Sequence, residues 1–141
     1  MVESQIQVIN KIYKATEFCG SWYDIPVDRL RAHCWEESTW CEEGTNPYIL
    51  SPSGNGKGCM QIDDRAHPNF GNSSSVFDIL INISYGSRYL SILYIRNNNW
   101  FYASAAYNGS GQQALDYANR IEKLIIEKPW IEICKQAKII I

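Results

Sequence analysis

Two adjacent carboxylates, Glu36 and Glu37, stand where an apolar helical stripe of Val27, Leu30 and Cys34 runs out. At roughly 100° per residue, Glu37 lies about 50° from the centre of that stripe and Glu36 roughly opposite it. Glu37 is therefore aimed at the core side of a helix C-terminus, and Glu36 at solvent. Desolvation and the negative end of the helix dipole both disfavour a carboxylate in the Glu37 position. Each raises its pKa, which is what a general acid working near neutral pH requires. On periodicity alone the same residue also reads as a boundary glutamate paired with an arginine. Asp63 and Asp64 come later, with His67 close behind. Two carboxyl groups in unlike environments are the equipment of glycoside cleavage, one donating a proton and the other handling water. Of the five Trp and nine Tyr, Trp35, Trp40, Tyr48, Tyr107 and Tyr117 fall near these polar motifs. Their rings suit pyranose faces, although packing is the default role of each one separately.

The elements that must position these groups are mostly helical. Ile6, Ile9, Tyr13 and Val8, Ile12, Ala15, Cys19 recur at spacings of three and four, predicting an amphipathic helix stopped by Gly20. Pro26 suits the first turn of a second helix, running through Val27, Leu30 and Cys34 to about Ser38. Residues 39–72 are punctuated by glycine and proline and read as a loop, with a small hairpin as the regular structure it could hold. So long an irregular segment in a compact domain is more often functional than not. Within it, residues 51–58 fail as a phosphate loop, because Lys57 is followed by Gly58 and no apolar strand precedes them. Helical spacing resumes at Val76, with Ile79, Ile83, Gly86, Leu90 and Leu93 on one face and Gly86 permitting close helix approach. Residues 100–107 read as a short, small-residue helix. Ala114, Ala118, Ile121 and Ile125 mark a last long one before Pro129, and the apolar tail, residues 130–141, should pack. The class is mostly α: one domain over residues 1–141, with a loop-rich insertion between the second and third helices.

Composition narrows the function. The chain has 141 residues and a formal charge of −2, so there is no basic excess with which to displace counterions, and nucleic acid is not expected as a partner. No apolar run approaches the ~20 residues of a membrane span. The first residues lack the charged and apolar regions of a secretory signal. Cys19, Cys34, Cys41, Cys59 and Cys134 are odd in number, which favours reduced, packed thiols over a disulfide framework. A zinc site from Cys34, Cys41, Cys59, His33 and His67 lacks the paired spacings such sites use, and no metal or cofactor is expected.

The ordered set of motifs resembles the transglycosylase SLT family and its relative, goose-type lysozyme, over residues 25–121. Glu37-Ser38 at a helix end matches the family's catalytic Glu-Ser. Residues 51–62 match its Ser-x-x-Gly…Gly-Leu-Met-Gln-Ile segment, with Cys59 in place of Leu. Asn82-Ile83, Gly86 and Tyr89-Leu90 match the helix that follows. Ala106-Tyr107-Asn108-Gly109 and Tyr117-Ala118-Asn119-Arg120-Ile121 match its last two motifs. The resemblance implies a lysozyme-like α fold that cleaves the β-1,4 bond between N-acetylmuramic acid and N-acetylglucosamine in peptidoglycan. It implies Glu37 as acid/base, held by a hydrogen bond from the Tyr107 hydroxyl. Gln61 and Asn108 would contact the sugar, Ser38 would stand beside it, and Met60 and Tyr117 would line the cleft. Goose-type enzymes hydrolyse, with aspartates holding the water, whereas lytic transglycosylases close a 1,6-anhydro ring and need no second carboxylate. Met60-Gln61-Ile62-Asp63 is closer to the goose-type stretch, although Pro52 stands where its other aspartate is expected. The expectation therefore leans to hydrolysis, with Asp63 holding the water. The competing class is a lysozyme-like domain kept only for glycan binding or structure. The implied place of action is the bacterial wall, reached as a monomer through lysis, a phage particle, a secretion system or precursor processing.

Overall fold

The computed structural model describes residues 1–139. Helix α1 (Glu3–Trp22) packs against α2 (Val27–Gly44) and α4 (Ile79–Asn97). Helix α5 (Trp100–Asn108) lies between α4 and α6 (Gly111–Glu127), and α6 returns to α2. Between α2 and α4 the chain forms a two-stranded hairpin, β1 (Gly56–Lys57) with β2 (Ile62–Asp63), and one short helical turn, α3 (Pro68–Gly71). This is a mostly helical, lysozyme-like α domain. The apolar stripes read from the sequence meet in one core around Ile9, Ile12, Leu30, Ile83, Leu90 and Ile121, all fully buried. No helix among the described residues is long and apolar enough to cross a membrane.

Three local expectations change. Helix α1 runs through Gly20 to Trp22 instead of stopping there. A Cβ on Gly20 would stand 2.9 Å from Val27 Cγ2, so the glycine admits the start of α2 and is not a terminator. Helix α4 begins at Ile79, three residues later than its periodicity suggests, because the Asp78 side chain accepts the Ile81 N–H as an N-cap. The tail forms α7 (Trp130–Gln136), with Trp130 stacked on Trp40 at 6.2 Å. Its last residues, Ile140 and Ile141, lie outside the described residues.

The hairpin carries the Met60-Gln61 motif, and α4 holds it. Asn82, fully buried on the apolar face of α4, accepts the Met60 N–H at 2.8 Å. Its amide donates to the carbonyls of Lys57 (3.0 Å) and Val76 (2.7 Å). A buried amide with all these groups satisfied fixes the hairpin's position as no apolar contact could. Gly86 serves the hairpin too, and this corrects the expectation of a helix–helix contact: a Cβ there would lie 2.4 Å from Met60 Sδ. Gly86→Ala should therefore lower stability by about 1–3 kcal/mol through overpacking, read as a shifted denaturant midpoint with an unchanged slope. A change under a few tenths of a kcal/mol would show that Met60 is free to move aside.

Candidate active site

Helix α6 grips both carboxylates at the end of α2. The Tyr117 hydroxyl donates to Glu37 Oε2 at 2.5 Å, and Arg120 Nε donates to Glu36 Oε1 at 2.5 Å. The expectation of a solvated Glu36 is corrected: its side chain is only 21% exposed and ion-paired. The pairing arginine belongs to Glu36, which leaves Glu37 without a cation of its own. Burial raises the Glu37 carboxyl to about 7, opposed by the Tyr117 hydrogen bond; the Glu36 charge raises it and Arg120 lowers it. Protonated and ionised forms are then both populated near neutrality.

The expected contact of Tyr107 with Glu37 is also corrected. The Tyr107 hydroxyl donates to the Met60 carbonyl at 2.8 Å, its ring edge-on to His33 at 5.1 Å and tilted against Tyr89 at 5.6 Å. Tyr107 therefore fastens α5 to the hairpin, and Tyr117, one helix later, supplies the hydroxyl to Glu37. Tyr117 is buried and does not line the open cleft. The same holds for Met60, which is fully buried against Gly86.

Ser38 points inward as well. It is 4% exposed, and its hydroxyl donates to the Cys59 carbonyl at 2.8 Å, with the Cys34 carbonyl at 3.2 Å, and accepts the Cys41 N–H at 2.9 Å. These bonds hold an unusual segment. Right-handed geometry ends at Ser38, as expected, but the chain then winds left-handed: Thr39, Trp40, Cys41, Glu42 and Glu43 all have φ between 45° and 54°. Such backbone costs roughly 1–2 kcal/mol per residue, so it persists only where its surroundings over-determine it. Here Trp40 and Cys41 are fully buried, and the Trp40 indole N–H donates to the Arg31 carbonyl at 3.2 Å. All five cysteines are free and buried. The Cys41 thiol is pushed far up by its hydrogen bond to Cys59 and by burial, which makes it inert packing.

A cleft of about 380 Å³ opens between the hairpin and α5, and its lining includes Gln61, Asp63, His67, Tyr89, Tyr107 and Asn108. The structure thus gathers Gln61, Asp63, Tyr107 and Asn108 at one cleft, whose lining does not include Glu37, and withdraws Ser38, Met60 and Tyr117 beneath the surface. Gln61 has φ +50 and donates to the Gly58 carbonyl at 2.9 Å. Asp63, expected to hold a water, is engaged by its own loop. Arg65 takes both of its oxygens, at 3.2 and 2.9 Å, and the N–H groups of Arg65 and Ala66 donate to Oδ1. These bonds, the Arg65 side chain first, hold its pKa at about 2, so it is a poor proton acceptor. Sequence reasoning missed Arg120 and Asn82 as structural agents of the site. The available signal was Asn82 itself, a polar residue on an otherwise apolar helical face.

Among comparisons with known proteins, the family Transglycosylase SLT domain matches residues 21–128, which contain Glu36, Glu37, Tyr117, Arg120 and the cleft-lining residues named above. No curated protein matches the chain, and no solved structure does.

A carboxyl raised from 4.5 to about 7 on folding contributes stability that is complete below its unfolded pKa and lost as pH rises through its folded one. Glu37→Gln should remove that loss, leaving the variant more stable than the wild type above pH ~8 by up to about 3 kcal/mol. Equal pH profiles of unfolding would show that Glu37 is not buried enough to titrate late. A ¹³C titration of the Glu37 carboxyl should move in opposite directions in two variants. Tyr117→Phe, which deletes a donor to the carboxylate, should raise it. Glu36→Gln, which removes a like charge and frees Arg120, should lower it. Coincident curves in all three proteins would contradict the assigned contacts.

Proposed function

The chain belongs to the transglycosylase SLT family, and on that premise we propose that it is a lytic transglycosylase of peptidoglycan, with Glu37 as its single acid and base. The observation that carries this reading is the contrast between two carboxyls: Glu37 poised near neutrality and Asp63 held anionic by Arg65. A hydrolase of the inverting type needs a second carboxylate free to take a proton from water. Asp63 accepts four hydrogen bonds from its own loop instead, which favours the internal route over the hydrolytic one.

Glu37, protonated, gives its proton to the glycosidic oxygen, and the N-acetylglucosamine side departs as an alcohol while positive charge grows on muramic C1. The carboxylate formed then takes the proton of the muramic C6 hydroxyl as that oxygen bonds to C1. The 1,6-anhydro ring closes, Glu37 ends protonated as it began, and no water is consumed. Tyr117, donating to Oε2, stabilises the carboxylate between the two half-reactions without neutralising it. Gln61 and Asn108 on the cleft wall would take the N-acetyl groups, and Tyr89 and Tyr107 the sugar faces. The place of action is the bacterial cell wall.

Purified wall digested with the protein should release fragments one water lighter than reducing-end muropeptides. Glu37→Gln should cut the rate by about 10²-fold or more, whereas Asp63→Asn should still give anhydro ends. Reducing ends in the wild-type digest, lost together with all activity in Asp63→Asn, would establish hydrolysis and overturn the proposal.

A further inference from the structure

Behind Tyr117 runs a chain of buried polar groups for which the reaction just described has no role. Arg29 Nη1 donates to Ser104 Oγ at 3.0 Å. Ser104 Oγ lies 2.9 Å from His33 Nε2, and His33 Nδ1 lies 2.9 Å from the Tyr117 hydroxyl. The hydroxyl ends on Glu37 Oε2. At the far end Arg29 Nη2 is tied to Glu122 at 2.7 Å. His33 and Ser104 are fully buried and Arg29 is 8% exposed. The chain crosses three helices, with Arg29 and His33 on α2, Ser104 on α5, and Tyr117 and Glu122 on α6.

One arrangement pairs every proton of this chain with an acceptor in it. Arginine is a donor only and cannot be reversed. Ser104 Oγ accepts from Arg29, so its single proton is free for His33 Nε2. Burial, and then the Arg29 charge, hold His33 neutral with a pKa lowered to about 3, so it carries one ring proton. With Nε2 accepting, that proton sits on Nδ1 and is donated to the Tyr117 oxygen. Tyr117, now accepting from His33, must send its own proton outward, and Glu37 is the acceptor in reach.

We propose that Arg29, acting through Ser104 and His33, sets the direction of this chain and so forces the Tyr117 hydroxyl to donate to Glu37. The three are positioning residues, since none of them bonds to Glu37 directly or lines the cleft. The inference rests on the reading of Glu37 as the acid. Without Ser104, His33 would be free to move its proton to Nε2 and accept at Nδ1, drawing the Tyr117 proton inward and away from the carboxylate. The charged and titratable groups facing Glu37 are then Glu36 on its own helix, Tyr107 on α5, and Tyr117 and Arg120 on α6. Of these, only Tyr117 would have changed state.

The test is made on the whole chain by NMR. With two histidines in the sequence, ¹⁵N ring shifts of the wild type, assigned through His67→Gln, report the His33 tautomer directly. A neutral ring protonated on Nδ1 from pH 5 to 8 is expected, and a ring protonated on Nε2 overturns the proposal with no variant needed. In Ser104→Ala the Nε2–H form should appear, and the Glu37 carboxyl should titrate from about 7 to about 8 or above. The basic limb of wall cleavage should move with it. A folded Ser104→Ala protein whose Glu37 titrates as in the wild type also overturns the proposal. These spectra do not depend on the substrate. A wild type with the expected tautomer that leaves purified wall intact refutes the functional reading alone.

Discussion

A carboxyl buried at the end of a helix must be stabilised without being stripped of its proton, and here that balance rests on the hydrogen bond from Tyr117 to Glu37. A lysine or arginine in the same place would drive the carboxyl down towards the range that Arg65 imposes on Asp63. A neutral phenol opposes burial only in part, and Glu37 settles near neutrality. The nearest cation, Arg120, is held off by Glu36, to which it is bonded. The adjacent glutamate therefore has a definite use: it occupies the arginine and adds a like charge, and both effects keep Glu37 from falling. Helix α6 supplies both partners, Tyr117 and Arg120, from positions three apart, on one face of the helix. The geometry of the Glu37 carboxyl thus depends on how α6 packs against α2.

That packing is maintained at the cost of strained backbone. After Ser38 the chain cannot continue as a right-handed helix and still place Trp40 on Trp130 and Cys41 in the core. The left-handed turn of five residues is the solution the structure adopts. Ser38 joins α2, this turn and the hairpin through one hydroxyl. Its place directly after Glu37 follows from this, since the residue that caps the strained turn also fixes the end of the helix that presents Glu37. Three buried thiols, Cys34, Cys41 and Cys59, fill the space around it. They act as small apolar groups with weak mutual hydrogen bonds, and their burial leaves them little reactivity.

The opposite wall of the cleft is held by polar pins and by a missing side chain. Asn82 fixes the backbone of the hairpin from below, Gly86 makes room for Met60, and Tyr107 ties the Met60 carbonyl to α5. Gln61, next in the chain, is thereby presented to the cleft in a left-handed conformation. Such rigidity suits a site that must position reacting groups, because groups misplaced by an ångström lose much of the rate.

Periodicity in the sequence was enough to locate the long helices, the irregular insertion and the aim of Glu37, because each depends on side chains a few residues apart. The spacing of Val27, Leu30, Cys34 and Glu37 is a property of one helix, and the ordered motifs are a property of one chain. Who touches whom across the core was not legible in the same way. Tyr107 and Tyr117 are both tyrosines in short motifs, and only the rotation of α5 and α6 against α2 decides which hydroxyl meets Glu37. Asp63 reads from the sequence either as a water-holding acid or as a loop residue paired with Arg65, and the bonds it accepts from Arg65 and Ala66 favour the second. The chain from Arg29 to Tyr117 joins residues of three helices and leaves no periodic trace beyond His33 standing one turn before Glu37. Residue spacing was enough for the long helices, and the ordered motifs for the family that residues 21–128 match. The partners of Glu37 and His33, and with them the proton affinities of both, were decided by helix packing, because they depend on distances of about 3 Å between groups that the chain separates by tens of residues.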